Sequence, residues 1–329
     1  MTTIYSKMEM SNKQLALNGI EQLNHQTLLK WPGNKTQLVK QISLCISKIE
    51  KFDNYYEPFF GSGALYFYLK KNNIITRRSY LNDYLEELIT FYKVVKNPKK
   101  NIEIVKKIFA IMDKYNSLTD LLQKKQMYLE LREKYNWLLA RKELSKSQEI
   151  EQSALLYFLN KTCFNGVYRK SKKGVFNVPH GRRVGKSQKI NFGEQNIQYF
   201  QNTKKLLRNT KLTSIHYKYA LNSATSKDFV YLDPPYVGNF TDYTSEGFKE
   251  NDFMELNNTI NDLLDKKINF LMSNSNTTKT LEIFYDKRLY CYQLDVTRTI
   301  DRSNTMSDGA TTELLISNNE LKFLGRSMW

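Results

Sequence analysis

Residues 228–236 read DFVYLDPPY, and this stretch decides which fold the chain is expected to adopt. Residues 228–232 are expected to form a buried strand, because 229–232 are an apolar run, and Asp233 falls where that strand ends. In open α/β sheets, ligands bind at the carboxyl ends of the strands, so the stretch predicts a site at Asp233. The alternative interpretation is a rigid loop that leaves an ordinary strand.

Two prolines and a tyrosine after Asp233 indicate the chemistry of that site. Pro234 and Pro235 remove two backbone donors and fix φ, which leaves the carbonyl of Pro234 rigidly aimed. The Asp233 carboxylate and this carbonyl are then neighbouring acceptors, and Tyr236 presents a flat ring. Such a site suits the amino group of a planar aromatic ring. When both hydrogens are accepted, the nitrogen lone pair can attack an electrophilic methyl.

A glycine-rich turn lies upstream, where residues 57–63 read EPFFGSG. Missing side chains at Gly61 and Gly63 let a ligand approach backbone N–H groups between a strand and a helix. No Lys-Ser or Lys-Thr pair follows, so a phosphate-binding loop is not favoured. Asp83, about twenty residues on, ends the next expected strand, and together they predict an adenosine-type site whose carboxylate accepts from ribose hydroxyls. The alternative is an ordinary turn and a surface aspartate.

Alternating strand and helix patterns predict an α/β fold with one doubly wound sheet. The expected strands are 28–31, 54–60, 80–83, 212–216, 228–232, 268–273, 290–296 and 313–317. Helices are expected at 37–49, 64–70, 84–96, 152–159, 252–265 and 278–285, and the periodicity of 98–144 is helical throughout. Residues 161–192 read as a loop with a small hairpin near Val175, Phe176 and Val178. The middle third is therefore predicted to be an insertion into the sheet.

Charge is concentrated in that insertion. The chain of 329 residues has a formal net charge of +17. Residues 96–204 contain 23 basic and 9 acidic residues, so this segment carries most of the net charge. Residues 161–189 contain nine basic residues and no carboxylate. A charge of this size implies an anionic partner such as nucleic acid or a membrane surface. Interleaved Asn, Gly and aromatic residues favour a phosphate-binding loop, and the alternative is a solvated face.

Other classes of protein fit the sequence poorly. Cys45, Cys163 and Cys291 have no paired spacing, so neither a disulfide framework nor a zinc site is expected. His25, His180 and His216 lack metal-site spacing, and we expect no metal. No apolar run approaches the roughly 18 residues of a membrane helix, and the start lacks a signal-peptide pattern. We expect a cytoplasmic protein that does not bind membranes.

Four segments in register resemble the Dam type of DNA adenine-N6 methyltransferases, which depend on S-adenosylmethionine. They are residues 30–35 (KWPGNK), the turn at 57–63 with Asp83, residues 163–182 (CFNGVYRKSKKGVFNVPHGR) and DPPY at 233–236. The match covers about 28–318. It implies a Rossmann-like methyltransferase sheet, with 1–95 and 205–329 as a discontinuous catalytic domain and 96–204 as a helical, basic recognition insertion.

The resemblance also assigns roles to residues. It implies that Trp31, Lys35, Asp83 and Asp233 lie at the cofactor, and the predicted cofactor site also includes Glu57, Phe59, Gly61 and Gly63. The catalytic set is Asp233, Pro234, Pro235 and Tyr236, which grip a flipped adenine. The predicted DNA contacts are Asn165, Arg169, Lys170, Lys172, Lys173, Asn177, Pro179, Arg182 and Arg183. From the residues themselves, Arg169 suits bidentate reading of guanine and the lysines suit phosphates.

The expected substrate is therefore adenine N6 in double-stranded DNA, at a short palindrome such as GATC. We expect a monomer on DNA, with a cognate restriction endonuclease as a functional partner. The alternatives are methylation of an RNA adenine or a protein amide, or a non-catalytic DNA-binding protein on a methyltransferase scaffold. The sequence departs from the family pattern at Asn34, where Gly is usual, at His180, where an aromatic is usual, and at Arg183, where Tyr is common.

Overall fold

A computed structural model describes residues 27–31, 38–181, 189–237, 248–296 and 311–329. Its centre is a seven-stranded sheet with the strand order β3-β2-β1-β4-β5-β7-β6. The strands are β1 Tyr55–Glu57, β2 Ser79–Asn82, β3 Thr210–Thr213, β4 Phe229–Leu232, β5 Asn269–Ser275, β6 Tyr290–Val296 and β7 Thr311–Ser317. The first five in this spatial order are parallel, and β7 is antiparallel to both β5 and β6. The α/β sheet expected from the sequence is confirmed.

Helices cover the sheet and build the inserted segment. They are α1 Val39–Lys48, α2 Ala64–Lys71, α3 Glu86–Lys96, α4 Pro98–Ser117, α5 Leu121–Leu139, α6 Lys146–Thr162, α7 Glu194–Leu206, α8 Tyr217–Ala220, α9 Glu250–Asp265 and α10 Thr278–Phe284. The predicted helical stretch 98–144 is two helices, because the Asp120 side chain caps a new helix through the N–H groups of Leu122 and Gln123.

The central strands are buried on both faces, which explains their unbroken apolar sequences. Along β4, Phe229 and Tyr231 belong to the hydrophobic cluster on one face, while Val230 and Leu232 belong to the cluster on the other. The inserted helices extend the first of these clusters. Residues such as Ile104, Tyr128 and Leu155 therefore share one continuous core with the sheet. The division into catalytic and recognition domains stays a prediction.

The prediction of a strand at 28–31 is wrong, because these residues form no strand. Leu28 and Leu29 are buried, and the fully buried amide of Asn160 satisfies the backbone of Lys30. Asn160 Oδ1 accepts from the Lys30 N–H at 2.8 Å, and its Nδ2 donates to the Lys30 carbonyl at 2.8 Å and the Gly166 carbonyl at 3.2 Å. A side chain from α6 thus takes the place of a strand neighbour.

Other predicted bounds shift by a few residues. The strand expected at 54–60 ends at Glu57, and the one expected at 212–216 occupies Thr210–Thr213. The helix expected at 152–159 runs from Lys146 to Thr162, because Ser145 and Gln148 form a capping box at its start. The hairpin near Val175 is present as one isolated antiparallel bridge between Lys170 and Phe176.

The remaining expectations concern cysteines, metals and membranes. Cys45, Cys163 and Cys291 are buried free thiols. Across the described ranges, no group of three His, Cys, Asp or Glu side chains has the arrangement of a metal site. Within the same ranges, no helix has the length and apolar character to cross a membrane.

We predict that Asn160→Ala destabilises the protein. The substitution removes three hydrogen bonds and leaves partly buried backbone groups of Lys30 and the buried carbonyl of Gly166 without these partners, at a cost of about 2–3 kcal/mol. Urea unfolding followed by circular dichroism measures this free energy. The control Asn222→Ala removes an exposed side chain and should change it by less than about 0.5 kcal/mol. Equal stability of the two variants would contradict the role assigned to Asn160.

Candidate active site

Three carboxylates follow three neighbouring strands at one edge of the sheet, here called the carboxyl edge. Glu57 ends β1, Asp83 follows β2 and Asp233 follows β4, and these strands are adjacent in the order β2-β1-β4. The carboxyl ends of adjacent parallel strands lie side by side. The charges of Asp233 and Asp83 both contribute to raising the pKa of Glu57, so the three groups share one electrostatic environment.

Glu57 is the most buried of the three, with 3% of its surface exposed. The Tyr55 hydroxyl donates to its Oε2 at 2.8 Å. Burial raises the pKa of Glu57 well above its usual value, although this hydrogen bond favours the ionised form. The neighbouring negative charges act in the same direction as burial. Glu57 is therefore pushed toward its neutral form, which lowers the repulsion at the carboxyl edge.

Asp83 fixes the glycine turn to the end of β2. Its Oδ2 accepts from the Gly61 N–H at 2.8 Å, and its Oδ1 accepts from the Leu85 N–H at 3.0 Å. Burial raises the pKa of Asp83 to about 6, with a further rise from Glu87, while the two N–H groups and Lys170 oppose the rise. Asp83 is thus ionised at neutral pH, and each carboxylate oxygen retains a lone pair for a further donor.

The glycines of the turn are required by backbone geometry. Gly61 and Gly63 have φ values of +52° and +73°, in the left-handed region that other residues avoid. A Cβ at Gly61 would lie 3.2 Å from Cδ1 of Trp31, and one at Gly63 would lie 2.4 Å from Cζ of Phe60. The indole of Trp31 therefore lies directly against the turn.

Most of the predicted cofactor residues come together at this edge. Trp31, Gly61 and Asp83 are joined by the contacts given above, and Asp83 and Asp233 flank Glu57 on the two strands next to β1. Phe59 is half-buried, with its ring 5.0 Å from the Tyr217 ring. Lys35 lies outside the described residues. The set fits S-adenosylmethionine, because an ionised Asp83 can accept from ribose hydroxyls and carboxylates complement its sulfonium and ammonium charges.

The DPPY segment is anchored by β5 and β7. The Tyr236 hydroxyl donates to Oε2 of Glu313 on β7. The Val237 N–H donates to Oδ1 of Asn274 at 3.1 Å, and the Ser275 hydroxyl donates to the Val237 carbonyl at 2.9 Å. Burial, followed by the charges of Asp233 and Glu313, raises the pKa of Tyr236 far above its usual value. Tyr236 therefore remains a neutral donor in a fixed position.

Glu313 and Asn274 are site residues that the sequence analysis missed. Glu313 lies 77 positions and Asn274 lies 37 positions from its partner in the DPPY segment. Their sequence signal is weak, because Glu313 lies between Thr312 and the apolar run 314–316, and Asn274 lies between two serines. In β5, Asn274 is a fully buried residue that follows the apolar run 270–272.

The predicted DNA contacts surround a short hairpin between residues 168 and 178. Asn165 has a left-handed φ of +52°, and Nε of Arg169 donates to Oδ1 of Asn177 at 3.0 Å across the hairpin. The exposed members of the predicted set are Asn165, Arg169, Lys172, Lys173, Asn177 and Pro179. Arg182 and Arg183 lie outside the described residues.

Lys170 is placed differently from the expectation that it contacts phosphates. Because side chains alternate along a strand, Arg169 points outward while Tyr168 and Lys170 point inward. Nζ of Lys170 lies 2.8 Å from Oε1 of Glu87, and this ion pair is largely buried. The Tyr168 hydroxyl donates to the same oxygen, and its ring stacks on Trp31 with centroids 5.1 Å apart. Glu87 and Tyr168 are further residues that the sequence analysis missed.

Comparison with known proteins agrees with this geometry. The profile of a family described as D12 class N6 adenine-specific DNA methyltransferase matches residues 31–300. The match spans the glycine turn, the hairpin and the DPPY segment. The chain therefore belongs to the D12 class of N6 adenine-specific DNA methyltransferases. It is accordingly an adenine-specific DNA methyltransferase.

Individual relatives are similar over most of the chain. The Type II methyltransferase M.MjaIII of Methanocaldococcus jannaschii is 36% identical over 75% of this chain and 83% of its own length. The Type II methyltransferase M1.LlaDCHI of Lactococcus lactis is 31% identical over 90% of this chain and 96% of its own length. The DNA adenine methylase of Escherichia coli K12 is 26% identical over 87% of this chain and 91% of its own length. Among solved structures, an rRNA methyltransferase, aviRa of Streptomyces viridochromogenes, is similar over 85% of this chain and 82% of its own, with 11% identity and a TM-score of 0.35.

We predict that affinity for S-adenosylmethionine falls as the pH drops through the Asp83 pKa of about 6. Above that pH the carboxylate is a charged acceptor, and below it the neutral acid is a weaker one. Losing the charge should raise KM for the cofactor about fivefold, since a charge-assisted hydrogen bond exceeds a neutral one by about 1 kcal/mol. Initial rates of methyl transfer at several pH values give this KM.

Two variants test the assignment to Asp83. Asp83→Asn should raise KM at neutral pH and flatten its dependence on pH, because the titrating group is gone. Asp286→Asn, which changes a carboxylate outside the site, should keep the profile of the unmodified enzyme. An inflection near pH 6 that survives in Asp83→Asn would show that another group titrates.

Proposed function

We propose that the protein transfers a methyl group from S-adenosylmethionine to N6 of an adenine that has rotated out of a DNA duplex, at a short site such as GATC. The observation that carries the proposal is the position of the DPPY segment. It follows β4, which pairs with the strand that ends in Glu57, and Asp83 follows the next strand along, so the amine acceptor and the cofactor residues share the carboxyl edge.

The carbonyl of Pro234 is the second acceptor for the adenine amine. A β-turn would close on it through the N–H of the residue three positions later, which is Val237. This N–H donates instead to Oδ1 of Asn274. The fixed φ of Pro235 restricts the backbone that follows this carbonyl, and the contact of Asn274 keeps the carbonyl available for the substrate.

The chemical step needs a nucleophilic nitrogen and an acceptor for its proton. The Asp233 carboxylate and the Pro234 carbonyl accept the two amine hydrogens, which shifts the nitrogen lone pair out of conjugation with the ring. When bound, S-adenosylmethionine supplies an activated methyl on a sulfonium. Transfer would form the N6–methyl bond as the methyl–sulfur bond of the bound cofactor breaks, and the sulfur would leave as a neutral thioether. The nitrogen would then carry a positive charge, and Asp233 is the carboxylate placed to take its proton.

Access to N6 requires the adenine to leave the base stack, at a cost of a few kcal/mol. Stacking on the Tyr236 ring offsets part of that cost, since an aromatic stack is worth about 1–3 kcal/mol per base. The hydrogen bond to Glu313 restricts rotation of the tyrosine side chain. The ring is thus held in position before the base arrives.

Recognition of the sequence is assigned to the hairpin. Asn177 binds Nε of Arg169, and this contact orients the guanidinium while its two terminal nitrogens stay available for the paired acceptors of a guanine. Lys172 and Lys173 lie exposed at the turn, where they suit backbone phosphates. In this proposal residues 96–204 act as the recognition insertion, and a monomer binds the duplex.

The biological setting is proposed from the relatives. Two of them are named Type II methyltransferases, which is consistent with a restriction endonuclease as a functional partner. A DNA adenine methylase is similar over a comparable share of the chain. A chain that acts without an endonuclease is the alternative within the same chemistry.

Asp233→Asn tests the proposed chemistry. Loss of the charged acceptor should lower the rate of methyl transfer about 10²–10⁴-fold, the contribution usual for general acid–base groups. Binding of the duplex, measured by fluorescence anisotropy, should change little. Radiolabelled S-adenosylmethionine is offered with duplex DNA, transfer RNA and peptide, and digestion of the products locates the label.

The position of the label decides between the candidate substrates. Label on adenine N6 in duplex DNA supports the proposal. Label on transfer RNA or peptide in preference to DNA would favour the alternative substrates. A variant that binds DNA and shows unchanged transfer would remove Asp233 from the reaction, and no transfer by either protein would indicate a DNA-binding scaffold.

We predict that Arg169→Ala and Lys172→Ala weaken DNA binding in different ways. Arg169→Ala should cost about 1–3 kcal/mol and relax discrimination at one base pair, as expected for a bidentate base contact. Lys172→Ala should weaken binding to all sequences equally. It should also make the slope of log affinity against log salt shallower by about 0.9, the contribution of one phosphate contact. Binding titrations on a set of duplexes with single substitutions separate the effects. Uniform weakening by Arg169→Ala would argue against base reading.

A further inference from the structure

A second cationic surface lies at the opposite end of the sheet from the active site. It is an open groove at the amino ends of β2 and β3, here called the amino-edge groove. Its basic residues are Arg78, Lys93, Lys96, Arg208 and Lys211. Arg78 precedes β2, and Asp83 follows the same strand, so the two ends are about 17 Å apart at the usual rise per strand residue.

The described lining of the groove contains five basic residues and no carboxylate. Among the residues that the structure describes, none of the five forms an ion pair. Some surface cations elsewhere are paired: Arg77, next to Arg78, is paired with Asp53, and Arg288 is paired with both Asp265 and Asp286. In the groove, by contrast, the described lining offers no carboxylate to any of the five cations.

A concave surface lined by one sign of charge concentrates counter-ions of the other sign. Lys96 is drawn into the wall, where its Nζ donates to the Thr210 carbonyl at 2.6 Å. Lys93 and Lys96 also end α3, so the dipole of that helix accounts for part of their placement. It does not account for Arg78, Arg208 and Lys211, which are exposed and precede or begin strands.

The groove suits phosphates better than bases. Tyr80 is the aromatic residue of its described lining, and one face of its ring is covered by Tyr56 at a centroid distance of 4.4 Å and an interplanar angle of 4°. At most the other face of this one ring is left for a nucleobase, whereas five cations of the lining suit phosphates. The open shape admits a polymer that passes through, and the enzyme class already handles a polymer of phosphodiesters, DNA.

We propose that the amino-edge groove binds the phosphodiester backbone of a DNA segment other than the one held at the active site, without regard to its sequence. The inference concerns a separate surface and does not rest on the GATC assignment. A second segment held across the sheet keeps the enzyme on long DNA while the active site is between targets. Because this contact is electrostatic, it is expected to weaken steeply with salt.

The test compares two triple variants that lose equal charge. The groove variant is Lys93→Gln/Arg208→Gln/Lys211→Gln. The matched control is Lys266→Gln/Lys287→Gln/Lys322→Gln, which changes three exposed lysines outside both the groove and residues 96–204. All six positions are on the surface, so both variants should fold, and circular dichroism checks this. Binding of a long duplex without target sites is measured by fluorescence anisotropy over a range of salt concentrations.

For the groove variant we expect the slope of log affinity against log salt to become shallower by about 2–3, since each phosphate contact contributes about 0.9. The control should change the slope by less than about 0.9, which is the contribution of one phosphate contact. Equal slopes in the two variants would overturn the proposal. This assay uses DNA without targets and no methyl transfer, so its failure would leave the proposed reaction untouched.

Two further measurements distinguish a second DNA contact from an extended active-site clamp and from a polyphosphate site. Methylation of a short duplex with one target should be the same in the groove variant and the control, because such a duplex occupies the carboxyl edge alone. A selective loss on the short duplex would make the groove part of the active-site clamp and overturn the proposal. Tight calorimetric binding of tripolyphosphate that disappears in the groove variant would assign the groove to a soluble polyphosphate instead.

Discussion

Three carboxylates held together out of water are the constraint on which the rest of this molecule depends. Strand order brings Glu57, Asp83 and Asp233 to one edge, where burial and the charges of Asp233 and Asp83 oppose ionisation of Glu57. The chain relieves this cost unequally. Glu57 is driven toward its neutral form, whereas Asp83 keeps its charge at neutral pH through two backbone N–H groups and the nearby Lys170. The result is a partly ionised edge that a cationic cofactor complements.

Glu87 connects that edge to the surface that is proposed to read DNA. Its Oε1 takes both the Tyr168 hydroxyl and the Lys170 ammonium, and Tyr168 in turn stacks on the indole that lies against Gly61. Since residues alternate along the hairpin, Arg169 projects to solvent from between these two buried side chains. Direct contacts thus join the hairpin that carries Arg169 to the glycine turn at Gly61. A large movement of either one would disturb the other.

Charge is segregated in the fold in a way that fits its chemistry. The carboxyl edge carries the buried acids, while the hairpin and the amino-edge groove carry exposed cations. Carboxylates near the cofactor do not hinder the approach of DNA as long as they are buried and partly neutral. The positive surfaces lie where phosphates can reach them. A net charge of +17 is therefore a sum over regions of opposite character.

The sequence by itself determined the sheet, the glycine turn and the DPPY segment, because each depends on neighbouring residues: apolar runs, left-handed glycines and prolines that restrict φ. Those signals led to Asp83, Asp233 and Tyr236 and to the family. Tertiary structure alone decided that 28–31 is held by Asn160, that Lys170 faces Glu87, and that Glu313 and Asn274 position the DPPY segment. These contacts join residues 37 to 130 positions apart, and the polar side chains that make them carry no periodicity before the chain folds. The amino-edge groove was hidden for the same reason, since its cations come from separate elements that only the sheet brings together.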